Sequence, residues 1–334
     1  MKPPSFWQYP PDAPGFRARL LSPLGDIYGA MTAKRVARAP VFRPPKPVIC
    51  VGNLNVGGTG KTPMVLALVQ HFQTRGLKVG VISRGHGGRL TGPVEVNERQ
   101  HKAEETGDEP LLISAFARTW IGRNRAAVAR AASAADIDVL VMDDGHQNPD
   151  IAKDLSITVV DAARGFGNGR CLPAGPLRER VTPGLARSDV LVSIGDPKAQ
   201  SFFRERWSAD VTVPHLTGIL RTLETGMDWN EARVLAFAGI GHPEKFFDTL
   251  RSLGADLVHA EPLDDHQTFT PALLNRLDND AKALCAQLVT TEKDAVRLPA
   301  DFRRQVLTVP VRLHLGSWHV LENLFEKIGL PPTS

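Results

Sequence analysis

The sequence predicts an α/β protein in which a larger parallel-sheet domain is followed by a smaller α/β domain. Three observations carry that expectation. From residue 47 short apolar runs alternate with amphipathic stretches, as in PVICVGNL, KVGVISRG, DVLVMDDG, SITVVDA and DVLVSIG, which is the rhythm of buried parallel strands joined by helices. The rhythm lapses around 211–231 and restarts at ARVLAFAGI. A chain of 334 residues with 42% apolar content is long enough to bury two cores.

In the first series, helices are expected at 61–75, 109–118 and 124–134. In the second they are expected at 243–253, at 271–283 and near 316–328, with LVHAEPL, AQLVTTEKD and VLTVPVRL as the intervening strands. The stretch VTVPHLTGILRTLETGMDWN resembles extended segments around a Thr-Gly turn and fits a bridge between domains. The expected organisation is an N-terminal segment at 1–40, a domain at 41–215, a linker at 216–231 and a C-terminal α/β domain at 232–334.

Ahead of these, Ser22 and Pro23 have the character of a helix cap and first residue. Leu24, Ile27, Tyr28 and Met31 then share a face, with Lys34, Arg35 and Arg38 near the helix end and Phe6, Trp7 and Tyr9 upstream. Such a segment suits a membrane interface, and it equally suits a helix packed on the core with its cations solvated. Its six basic residues against Asp12 and Asp26 leave an excess of four, equal to the net charge of +4 for the whole chain. Nothing in so modest a charge calls for nucleic acid. No apolar run is long enough to span a bilayer, and prolines and Asp12 interrupt any export-signal pattern. Cys50, Cys171 and Cys285 are odd in number and far apart, which fits a reducing compartment and neither a disulfide framework nor a zinc site.

Chemistry enters at residues 55–63, NVGGTGKTP, directly after the first apolar strand. A P-loop cradles nucleotide phosphates: Gly57, Gly58 and Gly60 let the backbone N–H groups turn inward, Lys61 reaches the β- and γ-phosphates, and the Thr62 hydroxyl can ligate Mg²⁺. Val56 and Thr59 complete the loop, and the following helix adds its positive end. The first glycine of the usual pattern is replaced by Asn55, a residue that tolerates left-handed backbone. DVLVMDDGHQ ends a strand on Asp143 and Asp144, with Gln147 nearby, the order and type of a Walker-B element for a hard cation. One of these acids can alternatively cap the next turn.

Other candidates are weaker by themselves. SRGHGG carries Arg84 and GNGRCLPAGPLRER carries Asn168, Arg178 and Glu179, groups suited to phosphate and sugar hydroxyls or simply parts of connecting loops. Asp108 in GDEP reads as a helix N-cap when taken alone, and His266 in DDHQTF as a surface histidine. Lys293 and Asp294 follow a strand, where α/β proteins bind ligands or form salt-bridged loops.

Taken in order, NxxVGGTGKTP, SRGxGG, GDEP, DDGxQ, GNGxxLPAGPLRE, AFAGIGxPxxFF, DDHxxF and TTEKDAVRL closely resemble the tetraacyldisaccharide 4′-kinase family over nearly the whole chain. The resemblance implies a P-loop NTPase-type sheet domain and transfer of the ATP γ-phosphate, with Mg²⁺, to the 4′-hydroxyl of an acylated glucosamine disaccharide 1-phosphate. It further implies peripheral work at the cytoplasmic face of the inner membrane of a Gram-negative bacterium, with residues 1–40 as the docking surface. Under it, Asp108 becomes the base for the 4′-hydroxyl with His266 as its partner, and Lys61 neutralises charge on the transferring phosphate. Thr62, Asp143 and Asp144 hold the metal, while Arg84, Asn168, Arg178 and Glu179 fall on the substrate or phosphate side. His86 stands where the family commonly has an aromatic residue. Two rivals remain on residues alone: a membrane-recruited nucleotide switch of the partition-ATPase type, and a P-loop ligase or kinase for a soluble substrate.

Overall fold

The computed structural model describes residues 3–265 and 267–332. A 3₁₀ turn (Ser5–Gln8) and α1 (Gly15–Val36) lead into β1 (Val48–Gly52), α2 (Lys61–Thr74), β2 (Val79–Ser83), β3 (Val94–Val96), α3 (Ala103–Thr106) and α4 (Asp108–Ser114). There follow β4 (Arg118–Ile121), α5 (Arg125–Ser133), β5 (Val139–Asp143), β6 (Leu155–Asp161), α6 (Val181–Leu185), β7 (Val190–Ile194), α7 (Pro197–Trp207) and β8 (His215–Thr222). The second series comprises β9 (Arg233–Ala238), α8 (Pro243–Ser252), β10 (Asp256–Pro262), α9 (Pro271–Ala283), β11 (Gln287–Thr291), α10 (Glu292–Ala295), α11 (Ala300–Arg303) and β12 (Val306–Val309). The chain closes with β13 (Val311–Leu315) and α12 (His319–Lys327).

Two sheets result. The larger has the order β13-β8-β7-β6-β1-β5-β2-β4-β3, parallel except for the pairings of β13 with β8 and of β3 with β4 at its two edges. The smaller runs β10-β9-β11-β12, parallel throughout. The central strands β1, β5, β6 and β7 are buried along their whole length, as parallel strands covered on both faces must be. On one face α2 and α12 pack together through Phe72 and Phe325, whose ring centroids are 4.9 Å apart. On the other face α5 covers β2, β4 and β5 through Val128, Ala129 and Ala132. α2 buries residues around most of its circumference because it lies between the sheet and α12.

Three sequence expectations are corrected. Residues 211–231 do not form two extended segments about Thr217-Gly218, because a single strand, β8, runs through that pair between β7 and β13. VLTVPVRL is not one strand: Pro310, which has no N–H to donate to a ladder, divides it into β12 of the small sheet and β13 of the large one. Residues 311–327, expected in a C-terminal unit, therefore complete the large sheet and its α2 face. The chain crosses between sheets twice, after β8 and at Pro310, and the crossings touch where the Leu223 N–H donates to the Pro310 carbonyl at 3.0 Å.

α1 also differs from expectation. It begins at Gly15 and carries Pro23 in its interior, and Ser22, instead of capping, donates its hydroxyl to the Ala18 carbonyl at 2.7 Å. Small residues form its buried face: Ala18, Gly25, Gly29 and Thr32. A Cβ on Gly25 would come within 2.8 Å of the Cys171 carbonyl oxygen, so this helix lies directly on the backbone of the loop carrying GNGRCLPAGP. Arg170 donates to Ser22 Oγ at 2.7 Å and Arg180 to Asp26 at 2.8 Å, adding polar ties. The large apolar residues point the other way: Phe16, Leu20, Leu24, Ile27 and Met31 are 55–78% exposed.

α12 is fastened at its start by His71 and Arg75 of α2, which reach Glu322 at 2.7 and 2.9 Å, and by Trp318 stacked on His71. Burial lowers the His71 pKa, and the Glu322 charge opposes that shift. Phe325→Ala is expected to lower the unfolding free energy by about 3–5 kcal/mol through the cavity it leaves, as read from urea denaturation. A loss below about 1 kcal/mol would mean that α12 is not a structural part of the large sheet's cover.

Candidate active site

The P-loop turns between β1 and α2 with Gly57 and Gly60 at φ 99° and 95°. A Cβ at Gly60 would lie 2.5 Å from Ile194 Cδ1, whereas at Gly57 or Gly58 it would meet no atom within 4 Å. The backbone at 57–58 thus borders open space of the kind a phosphate group occupies, at the N-terminal end of the 14-residue α2. Thr62 lies in the first turn of that helix.

Asn55 serves differently from the sequence argument. Its backbone is not left-handed. Instead its side chain is buried and donates to the Gly165 carbonyl at 3.1 Å, tying the loop to the segment after β6. Val56 N–H donates to the Pro176 carbonyl at 2.8 Å. Asn53, which the sequence reading passed over, donates to Thr59 Oγ1 at 2.9 Å from beneath the loop. A polar residue at the end of an apolar strand was the only available signal.

At the carboxyl end of neighbouring β5, Asp143 and Asp144 face Lys61. The Lys61 ammonium is 3.7 Å from Asp144, and Arg178 donates to both oxygens of that carboxylate at 2.9 and 3.0 Å. Burial alone would raise Asp144, but the charges of Lys61 and Arg178 hold it below the ordinary carboxylate value. Its backbone is left-handed, φ 50°, and is pinned by Arg125, whose buried guanidinium donates to the Asp143 and Asp144 carbonyls at 2.9 and 3.3 Å. Asp143 is fully buried and accepts from Ser83 at 3.1 Å. Burial first, then the charges of Glu109 and Asp144, push its pKa up to about 7 against Lys61 and Arg125.

One oxygen of Asp143, Oδ1, is buried without a hydrogen-bond partner. That orphaned oxygen, next to Asp144 in sequence, fits Mg²⁺, which takes one or two carboxylates and fills its remaining positions with phosphate oxygens and water. No group of three or more acidic, histidine or cysteine side chains forms a closed metal cage among the described residues.

Behind this pair a polar relay extends inward. Gln147 accepts from Arg178 at 3.4 Å and donates to Glu179 at 2.8 Å and to the Asn53 carbonyl at 2.8 Å, and Arg187 closes the chain with an ion pair to Glu179. Glu179 is therefore committed to bracing, with 3% of its surface exposed. Asn168 is likewise buried, and its amide donates to the Phe6 and Ala174 carbonyls at 3.1 and 2.9 Å, so it staples the N-terminal turn to its own loop. Neither side chain is presented to a sugar hydroxyl. Arg84 does stand exposed at the end of β2.

Asp108 is not an N-cap. Gly107 occupies that position, and Asp108 opens α4 with its side chain 3.4 Å from Arg297 of the small-sheet unit. Beside it Glu109 is 3.6 Å from Lys293. Asp294 is wholly buried, accepting from Gly239 N–H at 3.0 Å and Thr291 at 2.8 Å, and burial raises its pKa. His266 lies outside the described residues. The two units thus meet where Asp108 and Glu109 face Arg297 and Lys293, on the same side as the Walker-B pair, whose Asp143 feels the charge of Glu109.

A family model described as Tetraacyldisaccharide-1-P 4′-kinase matches residues 17–329. The chain belongs to that family. Among curated relatives, the tetraacyldisaccharide 4′-kinase of Dinoroseobacter shibae is 61% identical over 95% of this chain and 94% of its own. That of Jannaschia sp. is 54% identical over 98% and 99%. The solved structure of LpxK from Aquifex aeolicus in complex with ATP superposes with a TM-score of 0.74 at 25% identity, covering 94% of this chain and 99% of that one. Membership in the kinase family accounts for a P-loop joined to a Walker-B pair, with acids at the junction of the two units, in one architecture.

The raised Asp143 pKa makes a testable demand on the metal-free protein. The folded state keeps this proton up to about pH 7, whereas the unfolded chain loses it near 4. Between those values the folded state binds more protons, so this group's contribution to stability falls as pH rises. Asp143→Asn is expected to melt higher than the parent at pH 8, with the advantage shrinking toward pH 4 in calorimetry without Mg²⁺. A pH-independent difference would mean that the carboxyl titrates normally.

Proposed function

We propose that this cleft transfers the γ-phosphate of ATP to the 4′-hydroxyl of a tetraacyldisaccharide 1-phosphate, the acceptor its family is named for. The observation that carries the residue assignment is the location of Asp108 on the P-loop unit, at the cleft edge and beside the cations of the opposite unit. Phosphoryl transfer asks for positioning and charge stabilisation more than covalent chemistry. Lys61 and the N-terminal end of α2 hold the phosphates, and Arg178 keeps Asp144 ionised and aimed. Bound at Asp143, Asp144 and Thr62, Mg²⁺ would neutralise charge on the phosphate oxygens. Asp108 accepts the proton of the attacking 4′-hydroxyl, with His266 assigned beside it by the family pattern. Arg84, exposed at the end of β2, is assigned to the acceptor's side.

The lipid acceptor also gives α1 a purpose. A four-chain substrate stays in the bilayer, and no helix among the described residues is long and apolar enough to cross one. The outward stripe of Phe16, Leu20, Leu24, Ile27 and Met31, flanked by Arg17, Arg19, Lys34, Arg35 and Arg38, suits shallow insertion with the cations at anionic headgroups. This supports peripheral attachment to the cytoplasmic face of the inner membrane. It also disfavours a soluble acceptor, which would give such a stripe nothing to do.

The decisive experiment incubates the protein with γ-labelled ATP, Mg²⁺ and the acylated disaccharide 1-phosphate. Label is expected on the lipid; label found only as inorganic phosphate would instead identify a nucleotide switch. Asp108→Ala should lower kcat by about 10²–10⁴-fold, the usual worth of a general base, with the KM for ATP nearly unchanged. Comparable losses in both would reassign Asp108 to nucleotide or metal binding. For the membrane, Leu24→Glu combined with Met31→Glu should abolish sedimentation with vesicles containing anionic lipid while leaving the melting temperature within a few degrees, since both side chains face solvent. Undiminished sedimentation would remove α1 from the membrane contact.

A further inference from the structure

Resting on the kinase reading above, we propose that Arg297 is a positioning residue for the transfer step: it holds the Asp108 carboxylate from across the cleft, so that the acceptor half of the site is assembled only when the two units meet. The two side chains belong to different sheets. Asp108 opens α4 on the P-loop unit, and Arg297 follows α10 on the small-sheet unit, with Nε 3.4 Å from Oδ2 and side-chain exposures of 8% and 12%.

What distinguishes Arg297 from an ordinary ion-pair partner is how fully its fork is held from behind. Nη1 donates to Asp294 Oδ1 at 3.0 Å, and Asp294 is itself wholly buried and gripped by Gly239 N–H and Thr291. Nη2 donates to the Gln267 carbonyl. The guanidinium lies over the Phe269 ring at 4.9 Å, and Phe269 packs edge-on against the buried Phe237 of β9. Asp294, Gln267 and Phe269 all belong to the small-sheet unit, and Nε is the nitrogen that approaches Asp108 of the P-loop unit. A planar fork can be bolted at one end and extended at the other; a lysine ammonium cannot do both.

The sequence spacing supports a paired device. Lys293 lies in α10 and Arg297, four residues on, in the turn that follows it, where the Arg297 N–H donates to the Asp294 carbonyl at 3.0 Å. They meet the adjacent acids Glu109 and Asp108 at 3.6 and 3.4 Å. Arg297 also fixes the carbonyl of Gln267, next in sequence to His266. One side chain therefore sets both the direction of the base and the anchorage of the DDHQTF segment. The gain from Arg297 is one of geometry.

The test is a double-mutant cycle between Arg297→Ala and Asp108→Asn, with label transfer to the acylated disaccharide 1-phosphate in detergent micelles as the readout. Misplacing a reacting group by about an ångström costs on the order of 10²-fold. Arg297→Ala is accordingly expected to lower kcat by roughly 30–100-fold with the KM for ATP within about threefold, and to add less than about threefold in the Asp108→Asn background. Arg297→Lys should recover less than about tenfold, because the point charge cannot keep both anchors. An equal fractional loss in both backgrounds, or a loss carried by the KM for ATP, overturns the proposal in favour of a general packing role. Should Arg297→Ala not fold, Arg297→Lys and Arg297→Gln, checked by melting temperature, carry the same cycle. Failure of the parent protein to label lipid overturns the kinase reading itself, whereas normal parental transfer with additive variants overturns only the role of Arg297.

Discussion

The structure depends on two adjacent carboxylates at the end of a central strand, one buried and one half-buried. Putting Asp143 and Asp144 at the carboxyl end of β5 takes one acid out of water and half-buries its neighbour, a costly arrangement unless cations and donors answer it. Each neighbouring element contributes one. α2 brings Lys61, α5 begins on Arg125, the GNGRCLPAGPLRE loop brings Arg178, and β2 offers the Ser83 hydroxyl. The two acids divide by environment: the cations keep Asp144 charged, while Asp143 is deep enough to hold its proton near neutrality. A site with one committed carboxylate and one poised carboxylate suits a hard cation that arrives with a nucleotide.

How much of this was legible in the sequence varied with how local the cause was. Parallel strands buried on both faces write themselves as continuous apolar runs, so β1, β2, β5, β6 and β7 fall where VICVG, VGVIS, VLVMD, SITVVD and VLVSI stand. Pro271 at the start of α9 and the glycines of the P-loop are equally local signals. Pro310 was visible as a residue, but that it separates two sheets was not, since register across a distant pairing has no local signature. Asn55 was flagged as a departure, yet its use as a donor to Gly165, about a hundred residues on, required the fold. Arg125, Arg187 and Arg297 were invisible for the same reason: an arginine's partners are chosen by tertiary contact, and the residue itself looks like any solvated cation.

The N-terminal segment shows how two readings that exclude each other in sequence can coexist in space. α1 is packed on the body and exposes an apolar face, because its small residues, not its large ones, make the packing contact. Gly25 lets it lie on the Cys171 backbone and Gly29 on the Cys171 side chain, and that same loop supports the P-loop through Pro176 and reaches Phe6 and Trp7 through Asn168. The face that suits lipid is thus joined to the phosphate cradle by a short run of hydrogen bonds, with no flexible tether between them.

The contact between the two units is of another character. Lys245 meets Asp161 at 2.9 Å, Arg164 meets His242 at 3.2 Å, and Lys293 and Arg297 meet Glu109 and Asp108, with Glu292 and Arg312 paired beside the Pro310 crossing. The more exposed of these pairs, Lys245–Asp161 and Lys293–Glu109, contribute little net stability, and a polar boundary between units is the kind that permits relative motion. The large-sheet unit, by contrast, is locked by rings such as Phe72 and Phe325. Stability is concentrated where the phosphate cradle and Walker-B acids must not move, and charge is concentrated where the acceptor side must come together. A lipid sugar kinase needs that division, because its nucleotide comes from water while its acceptor remains in the membrane.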